Sequence, residues 1–175
     1  MGMFFDVLKS INDPNQQGSV EQLSGAMNTL QQLSAGHGVN ASTMQTVMST
    51  LGQSMGPIMR QQSASGGLSS LGSMVGQFAG GRGGASGLPS FITPQIQQQL
   101  IQGISGKTGL NAGTLQSMMP GLLSSVMGML SMGGSKSGIG GSNPLLTAFL
   151  DSDRDGDTDL GDVFKFAGRF LNPAR

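Results

Sequence analysis

The sequence contains no cysteine, no tryptophan and no tyrosine among its 175 residues. The absence of cysteine excludes disulfide bonds, thiolate metal ligands and cysteine nucleophiles. With eight phenylalanines as the only aromatic residues, we expect no platform on which nucleic-acid bases could stack. Between residues 22 and 150 there is no acidic residue, and the cationic or titratable side chains are Arg60, Arg82, Lys107, Lys136 and His37. So few cations predict no binding to nucleic acid.

Long hydrophobic runs are also missing. The most apolar stretch, residues 115–132, is interrupted by Pro120, Gly121, Gly128 and four serines, so we do not expect it to span a membrane. The N-terminal MGMFFDVLKSINDPN has no basic region and turns polar too soon for a secretory signal. We therefore expect a cytoplasmic protein without a membrane span.

Glycine and methionine are abundant, with 30 and 13 residues respectively. Glycine, together with frequent serine and glutamine, favours loops and leaves the core to a limited set of segments. Methionine and leucine must fill much of that core. Methionine adapts to irregular contacts, so a methionine-rich face is either core or a partner surface, and we favour the core.

An internal repeat relates GVNASTMQTVMSTLGQSM, from Gly38, to GLNAGTLQSMMPGLLSSV, from Gly109. The apolar positions keep the same phase in both copies, which favours a duplication over a chance match. The identical pairs include Gly38/Gly109, Asn40/Asn111, Ala41/Ala112, Thr43/Thr114, Gln45/Gln116, Met48/Met119 and Ser54/Ser125, with Gln31/Gln102 and Ser34/Ser105 upstream.

Each copy reads as a helix, a tight turn and a second helix. In the first copy Asn40 or Ser42 is suited to cap the second helix. In the second copy Thr93 is the expected N-cap with Pro94 at the first helical position, whereas Pro120 should kink or restart the following helix. The sequence therefore predicts an all-α fold of duplicated helical-hairpin units, joined by Gly/Ser-rich linkers and followed by a C-terminal helix pair.

The predicted organisation has six segments. They are an N-terminal amphipathic helix (1–17), the first repeat (18–62), a Gly/Ser-rich linker with a short helix (63–90), the second repeat (91–132), a further linker (133–143) and a C-terminal segment (144–175). Within the first linker Gly72, Gly76 and Gly80 recur every four residues. They form either a smooth helical stripe for close packing or an accidental pattern in a loop.

Six of the nine acidic residues of the chain lie in one stretch, DSDRDGDTDLGD. A calcium loop places oxygen ligands at positions 1, 3, 5, 7, 9 and 12 and a glycine at position 6 for a sharp turn. Gly156 occupies that sixth position, and without a cation the neighbouring carboxylates would repel one another. We therefore predict a Ca²⁺ site. Its ligands are Asp151, Asp153, Asp155, Asp157 through its carbonyl, Asp159 and Asp162.

The spacing resembles the loops of EF-hand, dockerin and thrombospondin type 3 repeats. Thr158 stands at position 8, where a paired EF-hand normally has an aliphatic residue, and Asp162 replaces the usual glutamate at position 12. Both departures, and the presence of a single loop, argue against a paired calcium sensor. The alternative is a solvated acidic turn without metal.

Phenylalanines are concentrated at the two ends of the chain, which suggests that the ends pack on each other. The N-terminal helix is expected to dock through Phe4, Phe5, Leu8 and Ile11. The phenylalanines of the C-terminal segment are Phe149, Phe164, Phe166 and Phe170.

No catalytic arrangement is evident in the sequence. GISGKTGL, which contains Lys107, imitates a phosphate-binding loop but lacks its first glycine, because position 101 is Ile101. The single histidine, His37, has no acidic neighbour, so a serine hydrolase triad is not expected. We therefore expect a non-enzyme with no small-molecule substrate. A hydrolase that uses the metal loop is a distant third possibility.

The motifs MGMFFDVL, GVNASTMQTVMSTLGQSMGPIM and GLNAGTLQSMMPGLLSSVMGML resemble the YidB-like bacterial family of unknown function. The resemblance covers residues 1 to about 132, and the composition, with its D-x-D-x-D-G tail, is similar to cyanobacterial members. It implies an all-helical fold and brings no established activity and no catalytic residues.

Two functions agree with these patterns. The first is a non-enzymatic calcium-binding structural protein that self-associates through apolar helical faces as a homo-oligomer. The alternative is a calcium-responsive regulator that exposes an apolar surface to a protein partner when loaded.

Overall fold

A computed structural model describes residues 3–15, 18–79, 91–134, 143–152 and 163. Throughout these ranges the regular structure is α-helical and no strand occurs, so the all-α prediction is confirmed. The helices are α1 (Met3–Asn12), α2 (Val20–Gly36), α3 (Ala41–Ala79), α4 (Pro94–Thr108), α5 (Ala112–Ser131) and α6 (Pro144–Ser152).

The predicted caps define the helix starts. Asn40 Oδ1 accepts a hydrogen bond from Thr43 N at 2.8 Å and so caps α3, whereas Ser42 donates its hydroxyl to the same oxygen. Thr93 caps α4 by accepting from Ile96 N at 3.3 Å, with Pro94 directly after it. Each side-chain acceptor takes up an N–H that has no partner within its helix.

The turns α2–α3 and α4–α5 share two local features. Gly38 and Gly109 both adopt left-handed conformations, with φ of 65° and 71°. Ser34 donates its hydroxyl to the carbonyl of Val39, and Ser105 donates to the carbonyl of Leu110 in the same way. Glycine is favoured at these two positions because it has no Cβ to clash at positive φ.

Helix α3 is longer than predicted. It continues to Ala79, through the first part of the segment expected to be a linker, with one non-helical residue at Gly67 (φ 78°, ψ 158°). Beyond this kink Leu71 and Val75 are completely buried. Their burial explains why a Gly/Ser-rich sequence stays helical here. A Cβ at Gly72 or Gly76 would meet no atom within 4 Å, so these glycines do not mediate a close backbone contact with the described residues.

Among the described helices, α5 has the most buried apolar side chains. It runs without interruption from Ala112 to Ser131 through Pro120, so the predicted restart at this proline is wrong. Gly121 faces Leu33 of α2, where an added Cβ would lie 2.7 Å from the leucine Cδ1. The small residue therefore leaves room for the Leu33 side chain of α2 against α5.

The first helix of each predicted hairpin unit packs mainly against the second helix of the other unit. Helix α2 packs mainly against α5, α4 packs mainly against α3, and the second helices α3 and α5 pack against each other. Contacts within each unit, between α2 and α3 and between α4 and α5, are less extensive. The four helices α2 to α5 thus build one shared core rather than two separate hairpins.

Methionine side chains form much of this core, as favoured above. Each such side chain removed from water contributes about 1.5–3 kcal/mol. The buried methionines are Met44, Met48, Met55, Met59, Met118, Met119, Met127, Met129 and Met132.

The two ends meet, because α1 packs against α6. Of the residues predicted to dock, Ile11 packs against the core and Phe5 does not become buried. Val7 and Ser10 are each 1% exposed, whereas Phe5 is 61% exposed and Leu8 and Ile11 are half-buried. On the side of α6, Phe149 is buried. The side chain of Phe4 lies outside the described part, as do Phe164, Phe166 and Phe170.

Candidate metal site

Helix α6 leads into the acidic stretch and is fixed at its start by Asn143. The Oδ1 atom of this buried residue accepts from Leu146 N at 3.0 Å, which caps α6. Its Nδ2 atom donates to the carbonyl of Leu130 at 2.8 Å. One side chain therefore joins the end of α5 to the beginning of α6.

Close backbone packing supports the same junction. Gly133 follows α5, and a Cβ at this position would lie 2.6 Å from Leu145 Cβ and 2.8 Å from Leu145 N. Leu145, Leu146 and Phe149 bury the inner face of α6. The helix that precedes the acidic stretch is therefore anchored along its length.

The last two residues of α6 are Asp151 and Ser152, so the first predicted ligand lies at the C-terminal end of a helix. This is where position 1 of a helix–loop–helix calcium site is expected. The other five predicted ligands lie outside the described residues. They are Asp153, Asp155, Asp157, Asp159 and Asp162.

The far side of the acidic stretch has one described residue. Val163, which directly follows Asp162, is helical and completely buried in the hydrophobic core. On the near side Leu150 is 9% exposed and belongs to the same core. The two residues that flank the predicted loop, Leu150 and Val163, thus both lie in the hydrophobic core.

The donor chemistry of this stretch suits calcium, because six aspartates supply the oxygen ligands that hard dications prefer. Cysteine is absent from the chain and the single histidine, His37, is exposed at the end of α2, so a nitrogen or sulfur site of the zinc type is not formed here. The residues present therefore fit Ca²⁺.

Arg60 is the residue at this end of α6 that sequence reasoning missed. Its Nη1 atom donates to the carbonyl oxygen of Leu150 at 3.2 Å, across 90 residues of chain, and the contact is partly buried. Arg60 directly follows the buried Met59 on α3. No sequence signal pairs this arginine with α6, because the contact depends on how the two helices pack.

The remaining candidates do not form a site in the part of the chain that the structure describes. No group of three or more His, Asp or Glu side chains there could hold a metal ion. Lys107 lies in the last turn of α4 rather than in a glycine-rich loop, and its Nζ donates to Gln53 Oε1 at 3.1 Å. Lys107 therefore stands in a helix, whereas the lysine of a phosphate-binding loop follows a glycine-rich turn.

Comparisons with protein-family models, with curated proteins and with solved structures found no match to this chain. The resemblance to the YidB-like family thus stays a prediction from the quoted motifs. Among the described helices, none combines the length and apolar character needed to cross a membrane.

Proposed function

We propose that this chain is a non-enzymatic calcium-binding structural protein whose acidic loop, Asp151 to Asp162, holds Ca²⁺. The proposal is supported by the structure of the residues on either side of this stretch. Helix α6 ends where the first ligand stands, and Val163 is helical and buried directly after the last one. A twelve-residue loop with the ligand spacing of a calcium site lies between these two fixed points.

Calcium would contribute the charge that allows the carboxylates to stay close together. The chain's own residues attach the loop to the core, through Asn143 at the start of α6 and through Leu150 and Val163 at the two ends of the stretch. A site that orders its loop on binding adds its binding free energy to the folding free energy. We infer that the metal stabilises the C-terminal segment on the helical core.

The scaffold that carries the loop is proposed to be a duplication. The equivalent glycines Gly38 and Gly109 share a left-handed conformation, and the equivalent serines Ser34 and Ser105 make the same bond across their turns. The reciprocal packing of α2 on α5 and of α4 on α3 also fits two related units. These features support the repeat independently of composition.

Self-association would use the apolar side chains that the core leaves exposed. The buried methionines are already taken up by the core. Among the described residues, the large apolar side chains that stay exposed are Phe5, Val20 and Leu68, at 61%, 42% and 49% of their surface. Leu68 directly follows the kink at Gly67, so we propose that this part of α3 contributes to the contact between copies.

The alternative is a calcium-responsive regulator that binds a protein partner when loaded. The two functions differ in what calcium changes. A structural assembly protein changes its size with calcium, whereas a regulator keeps its size and changes its affinity for the partner.

The test is light scattering coupled to size-exclusion chromatography, in millimolar CaCl₂ and in EGTA. The samples are the wild type, the Asp151→Ala/Asp155→Ala double variant and Leu68→Ser. We expect a larger species in calcium for the wild type alone. A calcium-bound wild type that stays monomeric in both buffers would contradict self-association and favour the regulator.

A further inference from the structure

Methionine is the only sulfur-containing residue of this chain, because cysteine is absent. A mild oxidant such as hydrogen peroxide therefore has one principal target, the thioether sulfur of methionine, which it converts to the sulfoxide. The chain has 13 methionines, and the side chains of Met1 and Met3 lie outside the described residues, which leaves eleven.

Burial divides these eleven side chains into two classes. Nine belong to the core and are at most 6% exposed. Met27 of α2 and Met74 of α3 pack against the core but are only partly buried. A dissolved oxidant reaches a partly exposed sulfur in the folded protein, whereas a fully buried sulfur is reached only after the structure opens. The folded chain therefore presents Met27 and Met74 to peroxide and protects the other nine.

Met74 lies in the part of α3 whose helical structure depends most on burial. This part, residues 68–79, follows the kink and contains two glycines and three serines, which are weaker helix formers than alanine or leucine. Among its described side chains, Leu71 and Val75 lie in the core and Met74 packs against it. Met74 directly precedes Val75 and is one helical turn beyond Leu71, so it adjoins both anchors of the segment.

We propose that Met74 is an oxidation site that controls whether residues 68–79 stay packed on the core. The sulfur lone pair bonds to one oxygen of H₂O₂ as the O–O bond breaks. The proton on that oxygen passes to the departing hydroxide, which leaves as water. The sulfur is oxidised by two electrons and the peroxide is reduced by two. The inference is independent of the proposed calcium site.

The sulfoxide changes the polarity of the side chain at a position that packs against apolar neighbours. Its oxygen is a strong hydrogen-bond acceptor, and removing it from water without a donor costs free energy. The oxidised side chain therefore favours an arrangement in which Met74 faces water, which loosens the helix around Leu71 and Val75. Methionine sulfoxide reductases return the sulfoxide to the thioether, so the change is reversible.

The first experiment measures sulfoxide formation at each site in the folded full-length chain, treated with millimolar H₂O₂. Trypsin cleaves after Arg60 and Arg82, and Met74 is the only methionine between them. The tryptic peptide from Thr108 to Lys136 holds five methionines, all of them buried, and is the internal control. Mass spectrometry should show Met74 oxidised at least about tenfold faster than the control methionines. In denaturing urea the rates should become similar.

The second experiment measures what the sulfoxide changes. The wild type and Met74→Leu, which keeps the apolar volume and lacks the sulfur, receive the same peroxide treatment. Oxidation at other sites is then common to both. We expect amide hydrogen exchange across residues 68–77 to accelerate by roughly tenfold or more in the oxidised wild type and not in Met74→Leu. Treatment with a methionine sulfoxide reductase should restore the original exchange.

Two further variants complete the comparison. Met27→Leu is the matched control at the other partly buried methionine, and its residues 68–77 should respond to peroxide as those of the wild type do. Met74→Gln introduces a polar side chain of similar length, so it should show the faster exchange without any oxidant.

An unreactive Met74, oxidised as slowly as the methionines of the control peptide, would overturn the proposal. So would a fully oxidised Met74 with unchanged hydrogen exchange across residues 68–77. If Met74→Leu does not fold, the oxidation rates and the reductase treatment of the wild type still decide between these outcomes.

Discussion

Asn143 and Gly133 show how single residues attach the C-terminal segment to the helical core. Asn143 bonds to both α5 and α6, and Gly133 leaves room for the backbone of Leu145. Neither role follows from the sequence, where both residues belong to a Gly/Ser-rich stretch. The orientation of α6, and so the start of the acidic loop, depends on these two small contacts.

Gly133→Ala should destabilise the protein. The added Cβ would lie 2.6 Å from Leu145 Cβ and 2.8 Å from Leu145 N, so backbone has to move. We expect a loss of about 1–3 kcal/mol in the free energy of unfolding, measured by urea denaturation. Gly25→Ala is the control, since its Cβ meets nothing within 4 Å and alanine favours the helix by about 0.5–1 kcal/mol. Equal stability of the two variants would contradict the close approach.

Gly38→Ala and Gly109→Ala should lower the free energy of unfolding by similar amounts. Both glycines have positive φ, 65° and 71°, with no atom within 4 Å of an added Cβ, so the cost is backbone strain alone. We expect about 1–2 kcal/mol for each, from thermal or urea unfolding. The controls Gly36→Ala and Gly106→Ala lie in helix α2 and helix α4, again with open space around the new methyl group. Strongly unequal costs at the two turns would argue against equivalent units.

At the scale of helices, the contact between α1 and α6 joins the two ends of the chain. In helix α1 Val7 and Ser10 are buried, whereas Phe5 is exposed.

Val7→Ala should lower the free energy of unfolding more than the same substitution at an exposed valine. Val7 is 1% exposed, so removing two methyl groups leaves a cavity, and we expect the free energy of unfolding to fall by about 1–3 kcal/mol. Val20 is 42% exposed, and Val20→Ala should change stability by about 0.5 kcal/mol or less. Chemical denaturation of both variants measures the difference. If the two substitutions cost the same, α1 does not pack as described.

Local signals in the sequence predicted the helices well wherever a cap or a periodic stripe was present. Asn40, Thr93 and Pro94 stand where expected, because caps depend on neighbours within one turn. The length of α3 was not predicted, since Leu71 and Val75 keep a glycine-rich segment helical through burial against other helices. The bond from Arg60 to Leu150 is likewise invisible in sequence, because it joins residues 90 apart.

For the molecule as a whole, α2 to α5 form one helical core, and α6 leads from this core into the acidic stretch. Of the six proposed ligands, Asp151 is placed at the end of α6, and the other five lie outside the described residues. The ligand spacing stays a prediction from sequence, because it depends on residues within one stretch. The way α6 packs against α1, α3 and α5 could not be predicted, since it depends on tertiary packing.

The most direct test of the central claim is isothermal titration calorimetry with CaCl₂, on the wild type and on the Asp151→Ala/Asp155→Ala double variant. Circular dichroism of both proteins confirms that the helical core is intact. We predict one wild-type site of roughly micromolar affinity or tighter, and no site in the variant. A folded wild type that shows no binding at millimolar calcium would contradict the account.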